Sequence, residues 1–442
     1  MIKHYNIKTA LYLILPAFFC AGLIIWLIVW QKAPDTNRDR TYAQRTGSYF
    51  APAPADPFKA PRISEIPIPD FPGGDAIWGA TGKDDRGHIW FGVTEKSGDH
   101  SARLFEYDPD AGQVFNRGSV VDHLWKAGLS HIGEGQIKIH SKIIPADDGY
   151  LYFASLDEEG EMADGSKPPI YGSHLWRVHP VTHRWKHLFK APEGLIAVSG
   201  AGQWIYALGY WDHILYQYNT INGEVKRIRV GSEGGHISRN LIADHRGHVF
   251  VPKVKYYDTS QATTGNNNKT DRFLVTSLIE YDQHLNTLGT TALIHYAANE
   301  KPAGNHGIIA LTYLADGSIV FATHLGYLYQ ITPAAEGPAR ITELGWFHPE
   351  GPAYTPALFS YAGERYLLGL GRRKQQYDWL VYDLETRSST VVPFNFEGSR
   401  DRLLLYGSVT RDLEGNFYVA GRHYTQGRNR PKPLLLQLSI DD

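Results

Sequence analysis

The strongest constraint on the fold is a short unit that recurs seven times after residue 60. Each copy is a turn containing Asp or Gly, then a strand of alternating apolar and aromatic residues. The copies are DDRGHIWFG at 84, DDGYLYFAS at 147, GAGQWIYAL at 200, DHRGHVFVP at 244, ADGSIVFAT at 315, AGERYLLGL at 362 and LEGNFYVAG at 413. A partner strand follows each one, from RLFEYDPDAG at 103 to LLLQLSIDD at 434. The repeat length of about 45 to 70 residues is that of a propeller blade with loops inserted in some blades. Period-2 alternation gives each strand a face to pack on the next blade. The last repeat ends one strand short. RISEIPIPD at 62–70 alternates in the same way and precedes the first full unit, so it is expected to pair with the last blade and close the ring. Closure removes the edges that an open sheet would expose. Two separate β-sandwiches are the alternative, but seven matched repeats run on with no linker between them.

The expected organisation is therefore all-β: a seven-bladed β-propeller at 61–442, preceded by an N-terminal transmembrane helix at 1–30 and a linker at 31–60. The 27 Tyr, 18 Phe, 11 Trp and 44 Gly suit many short strands joined by tight turns. No strand-to-helix Gly-rich fingerprint supports a dinucleotide domain. With 44 Lys plus Arg against 46 Asp plus Glu there is no global basic field for nucleic acid. Thr9 to Trp30 carries no charge, and about 20 apolar residues span a bilayer core. The run is longer than a usual cleaved signal and lacks an A-x-A-like site, which favours an uncleaved anchor. The expected location is extracytoplasmic: tethered at the membrane in a periplasm or at a cell surface, or secreted if the segment is cleaved. The single Cys, Cys20, lies inside this run. Disulfide frameworks, Cys-rich zinc sites and a Cys nucleophile are thereby excluded from the folded part.

Polar residues recur at blade starts and strand ends. In GQIKIHSKII, alternation places Gln136, Lys138 and His140 on one face, suggesting a channel-facing polar row. The other candidates are His174 in YGSHLWRVHP, Tyr210 in LGYWDH, His236, Arg239 and Asn240 in GGHISRN, His306, His324, and the basic pair Arg372 and Arg373. Two insertions, at 157–174 and 253–272, are long enough to bind something; Lys253 opens the second. Any one His is more often structural, and propellers repeat structural residues too. His residues from several blades could hold zinc, and DDRG at 84 or DEEGE at 157 could offer oxygen to calcium. Each reads more simply as a surface turn, so no metal and no other cofactor is assigned, though a structural calcium or zinc remains open.

This basic and aromatic set suits an anionic sugar. Arg239 can clamp a carboxylate through a fork of hydrogen bonds. β-Elimination from a uronate needs that carboxylate neutralised, a base for the C5 proton and an acid for the oxygen leaving C4. His and Tyr can supply the base and the acid. Hydrolysis would instead use paired carboxylates, and the acidic residues sit mainly in turns.

The segments KIHSKIIPADDGYLYFAS, YGSHLWRVHP and GGHISRNLIADHRGHVFVPK resemble the propeller polysaccharide lyases that include the ulvan lyases. The resemblance covers essentially residues 60–440. Relatives in that group act at rhamnose linked to glucuronate, some as lyases and some as rhamnosidases. The resemblance implies that His140 and His174 flank the substrate, that Arg239 neutralises the uronate and that Tyr210, with Tyr216 behind it, is the catalytic tyrosine. Lys138, His236, Asn240, Lys253, His306, His324 and Arg372 are the expected substrate-binding residues. Some relatives hold a zinc through a set that includes Cys, which this folded region lacks. The insertion between His140 and His174 is also longer than the pattern expects. The expected partner is an anionic polysaccharide containing uronate and rhamnose, besides the membrane. A rhamnosidase, and a propeller that binds glycan or protein without turnover, are the alternatives.

Overall fold

A computed structural model describes residues 56–96, 100–162, 166–259, 271–297, 307–361, 365–396, 403–424 and 430–440. These residues form seven antiparallel blades in a ring. The blades begin with the inner strands at Gly74–Ala76 and Thr81–Lys83, Lys138–Ile139 and Ile144–Pro145, Leu195–Ala201, Ile242–Ala243, Ile308–Tyr313, Tyr354–Tyr361 and Leu403–Arg411. In each blade the second strand pairs back on the inner one, and in six of the seven the start of the inner strand lies opposite the end of the second. Gly74 faces Glu95, Lys138 faces Leu156, Leu195 faces Gly209, Ile308 faces Thr323, Tyr354 faces Arg372 and Leu404 faces Arg422. This register collects one end of these six blades around a single rim.

The seventh blade is completed by the beginning of the chain. Arg62–Glu65 pairs antiparallel with Lys432–Ser439, and Ile66 N–H adds a hydrogen bond to Leu435 O. The expected closing strand is thus in place. Its role is physical: without it the strand Lys432–Ser439 would be left with an unpaired edge.

The repeated turns share one device. Asp84, Asp244 and Asp412 each accept two backbone N–H groups, from the residues two and four positions on, through Oδ1. The side chain replaces a turn of backbone hydrogen bonds and aims the next strand. The core lies between blades rather than at the centre. One apolar layer joins residues of the seventh, first and second blades, including Trp90, Phe91, Ile139 and Leu435. Another joins the third, fourth and fifth, including Tyr206, Phe250 and Phe321. Among the described residues one helix, Val120–Lys126, capped by Ser119, interrupts the β pattern. No helix among the described residues is long and apolar enough to cross a membrane. The expected anchor and most of the linker, residues 1–55, lie outside the described residues.

Candidate functional site

Near the axis, the rim gathers side chains from distant parts of the chain. Trp78 is the hub. Its ring stacks on His140 with centroids 6.0 Å apart and lies 4.4 Å from Tyr406. Lys138 Nζ sits 4.8 Å from its centroid and the Arg422 guanidinium 5.1 Å. Cations over an indole face are held by its quadrupole, and more strongly where water is scarce. Arg422 also reaches Asp75 at 3.4 Å, which fixes it from behind.

Arg239 enters from the connection before the fourth blade. Its Nη1 lies 3.4 Å from His140 Nε2, and its guanidinium lies 5.7 Å from the Tyr406 ring centroid. A guanidinium only donates, so Nε2 presents its lone pair to Arg239 and the proton of the neutral imidazole belongs on Nδ1. His140 is 8% exposed, and its Nδ1 has no hydrogen-bond partner among the described residues. Burial first, then the charges of Arg239 and Lys138, hold its pKa well below the usual histidine range. His140 is therefore a neutral base at pH 7. His236 meets it edge-on at 6.0 Å and touches the Tyr210 ring at 5.3 Å.

Tyr210 is positioned by a buried carboxylate. Glu193 accepts backbone N–H groups of Trp211, Asp212 and His213 through Oε2 and of Ile214 through Oε1. The loop that presents Tyr210 therefore wraps around this one side chain. Gly194 leaves room for the ring: a Cβ there would lie 2.3 Å from Tyr210 Cε1. The Tyr210 hydroxyl donates to Glu161 at 3.4 Å. Burial, then the Glu161 and Glu158 charges, push its pKa well above 10, so it is a phenol and not a phenolate. Glu161 is itself pushed up to about 7, by burial and then by Glu158. Glu158 pairs with Lys138. The short turn DEEGE thus leans over the rim, and Trp211 Nε1 ties it down by donating to Met162 O at 3.3 Å.

The far side of the rim is aromatic and basic. Tyr354 pairs in register with Arg372, and its ring lies 5.2 Å from His324. Arg239 and Arg372 both act electrostatically on the Tyr354 hydroxyl, against the burial that raises its pKa.

The structure brings together Lys138, His140, Tyr210, His236, Arg239, His324 and Arg372. Three of the others are engaged elsewhere. His174 stands one strand further out; its Nδ1 meets His187 Nε2 at 2.9 Å and its Nε2 meets Glu134 at 3.1 Å. Both ring nitrogens are engaged and the residue is 1% exposed, so it has no proton to offer a substrate. Asn240 donates both amide hydrogens to Ile308 O and Ile309 O, stapling the fourth blade to the fifth. Lys253 lies beside Gly231, and His306 falls outside the described residues. Tyr216 stacks on Phe189 and bonds Glu193, a packing role. Gln136, expected in the channel row, is fully buried between Ser155 Oγ and Gly172 O.

Trp78, Tyr406 and Arg422 are not marked by the sequence reading, and Glu158 and Glu161 enter it only as possible oxygen donors to calcium within DEEGE. One signal was available for two of them. Trp78–Gly79, in the break between Gly74–Ala76 and Thr81–Lys83, and Tyr406–Gly407, on the neighbouring inner strand, are aromatic–glycine pairs, and a Cβ on Gly79 (φ +84°) would lie 2.4 Å from Gly407 O. The glycines let neighbouring strands close up at the axis, and the preceding aromatics fill the rim.

Among the described residues, two other groups have metal-ligand chemistry: Asp84, His88 and Glu106, and the equivalent Asp244, His248 and Glu280. In each, an arginine bridges the carboxylates. Arg86 Nη2 lies 2.7 Å from both Asp84 and Glu106, and Arg246 Nη2 lies 2.6 and 3.0 Å from Asp244 and Glu280. The guanidinium supplies the positive charge between the acids, so these are inter-strand ion networks of the blade turns.

No protein-family model and no curated protein matches the chain. Solved structures do resemble it. The extracellular domain of the putative hybrid two-component system BT4673 from B. thetaiotaomicron has a TM-score of 0.50 at 15% identity, over 86% of this chain and 40% of that one. The β-propeller domain of Cps50 (Swd1) from Myceliophteria thermophila gives 0.47 at 11% identity, over 86% and 100%. A protein of unknown function from Dyadobacter fermentans gives 0.45 at 12%, over 86% and 99%. The chain spans well under two thirds of the length of the first of these. At such identities the likeness is one of fold alone, and the fold is a seven-bladed β-propeller.

Proposed function

We propose that this chain is a polysaccharide lyase that cleaves a uronate-containing glycan of ulvan or rhamnose–glucuronate type by β-elimination at the rim cluster. The observation that carries the reading is the 3.4 Å contact between a neutral imidazole at His140 and the guanidinium of Arg239. Elimination needs those two groups side by side. Arg239 pairs with the uronate carboxylate and lowers the acidity barrier at C5. His140 Nε2, released from Arg239 by that carboxylate, takes the C5 proton. The electron pair forms the C4–C5 double bond as the C4–O bond breaks. Tyr210, held as a phenol, gives its proton to the departing oxygen. Trp78 and Tyr406 offer faces for sugar rings, and Arg372, Arg422 and His324 extend the anion-binding rim. His174 serves as a packing and hydrogen-bonding residue in this scheme. The apolar run at 9–30 supports an exported, membrane-tethered enzyme.

A hydrolase reading has one observation in its favour. Glu158 and Glu161 lie together beside Tyr210, and Glu161 at about 7 has the pKa of a general acid. A rhamnosidase on this scaffold would use that pair.

The test is incubation with ulvan, rhamnoglucuronan and glucuronan while following ultraviolet absorbance of the conjugated double bond. The lyase reading expects absorbance to rise with reducing ends. Reducing ends without absorbance sink it in favour of a hydrolase. Tight binding without either product leaves a non-catalytic glycan-binding propeller.

A further inference from the structure

We infer that the axis of the ring binds one small inorganic anion of chloride size beside the buried amine of Lys142, where it holds the inner strands of several blades together. This site is separate from the rim cluster, and the inference does not rest on the lyase reading. The cavity that Lys142 lines is about 40 Å³, room for a monatomic anion or a few waters and none for a sugar. Thr81, Lys142, Ser199, Leu311 and Thr410 bring five blades to its wall.

The charge around this cavity has one sign. Two lysines, Lys83 and Lys142, line it, and among the described residues no Asp or Glu does. The two lysines differ. Asp412, Asp85 and Asp84 act on Lys83 against its burial and against Arg411. No carboxylate among the described residues acts on Lys142, and burial alone accounts for its lowered pKa. Its ammonium has three donors, and among the described residues it makes one hydrogen bond, to Gly407 O at 3.0 Å.

Hydroxyl groups extend the donor set. Thr81 Oγ1 accepts from Thr410 Oγ1 at 2.8 Å, and Ser199 Oγ accepts from Ala243 N–H at 3.1 Å. Neither hydroxyl donates to a described residue, so each has its own proton to give. All three side chains are buried. A buried amine, donor hydroxyls and no acid are complementary to an anion and repel a metal cation. Water could fill the space but would leave the ammonium without a counter-charge, which is the costly state of a buried ion. In chloride-free medium Lys142 bears that cost alone. With an anion beside it, the pair is neutral, and binding to the folded state alone stabilises the ring.

The experiment follows thermal unfolding of the whole protein at about pH 6, where Lys142 is protonated. Sodium methanesulfonate, whose anion is too large for the cavity, is replaced stepwise by sodium chloride at constant ionic strength. The midpoint should rise saturably, by about 2–5 °C. The rise should vanish in Lys142→Met, which keeps the stem and removes the charge, and shrink in Thr81→Val and Ser199→Ala. Wild-type crystals grown in sodium bromide should show an anomalous peak beside Lys142 Nζ, a measurement that needs no variant to fold. No saturable rise with chloride, an equal rise in Lys142→Met, a full rise in both hydroxyl variants, or no bromide peak on the axis overturns the inference. Neither measurement uses a glycan, so its outcome is independent of the lyase reading.

Discussion

Arg239 and His140 are 99 positions apart in sequence and 3.4 Å apart in space, the guanidinium donating toward the imidazole lone pair. Arg239 opposes protonation of the buried His140 imidazole beside it. An arrangement of this kind makes sense where an anion is to be bound next to a group that must stay neutral.

The first prediction concerns that pair. Arg239→Ala and Arg239→Lys should each lower kcat/KM on a uronate glycan by about a hundredfold or more, because a lysine ammonium cannot form the planar fork. His140→Ala should be as damaging while leaving the circular dichroism spectrum intact. Activity retained in Arg239→Lys would show that charge alone suffices.

A second prediction follows from the space beneath Tyr210. Gly194→Ala puts a methyl group 2.3 Å from the ring and should displace it. Its turnover should fall to that of Tyr210→Phe, with a stability cost of about 1–3 kcal/mol. Glu193→Ala should be worse for folding, because four loop N–H groups lose their acceptor at once. Thermal unfolding and kcat measured on the same samples separate the two effects; full activity in Gly194→Ala would mean that Tyr210 has no catalytic part.

Much of the fold was legible before any coordinates. The turns could be counted because Asp84, Asp244 and Asp412 do the same local job, and local jobs leave local patterns. The closing strand showed itself by alternation around Ile63. Lys138 and His140 could be placed on one face because a strand's period is fixed. What stayed hidden was convergence. Nothing in DAIWGA or LLLYGS announces that Trp78 and Tyr406 meet, since their contact depends on ring closure. The same limit applies to His174: its partners, Glu134 in the loop before the second blade and His187 on a neighbouring strand, meet it only in the folded ring. DEEGE reads as a surface turn, and it is the packing of Trp211 beneath it that turns its carboxylates toward the rim.

Ring closure supplies a third prediction. Ile66 is 5% exposed and packs in the layer joining the seventh and first blades. Ile66→Ala should cost about 2–5 kcal/mol. Deleting residues 1–66 should free the edge of Lys432–Ser439 and make the protein aggregate on heating. Light scattering during a thermal ramp reads this directly, and an unchanged midpoint for the deletion would mean that the pairing contributes nothing to stability.

Lys142 gives a prediction in pH. It lines a cavity of about 40 Å³ on the axis, with Gly407 O as the acceptor of its Nζ at 3.0 Å. Burial brings its pKa from 10.5 down to about 7. Between these values the unfolded chain binds more protons than the folded one, so stability rises with pH from about 7 to 10.5. Below that window both states are protonated and the folded state carries the full penalty. Lys142→Met should therefore be more stable than wild type at pH 6, by up to a few kcal/mol less about 1 kcal/mol for the lost hydrogen bond. The difference should shrink or reverse by pH 10. Urea midpoints that run parallel across this range would contradict the assignment.

The most direct test of the central claim is the mass of the new chain end made from a rhamnose–glucuronate oligosaccharide. β-Elimination leaves a C4–C5 unsaturated uronate, lighter by one water than the hydrolytic product, and this product should be absent with Arg239→Ala. Products that have gained water, or unsaturated ends still formed by Arg239→Ala at the wild-type rate, would contradict the account.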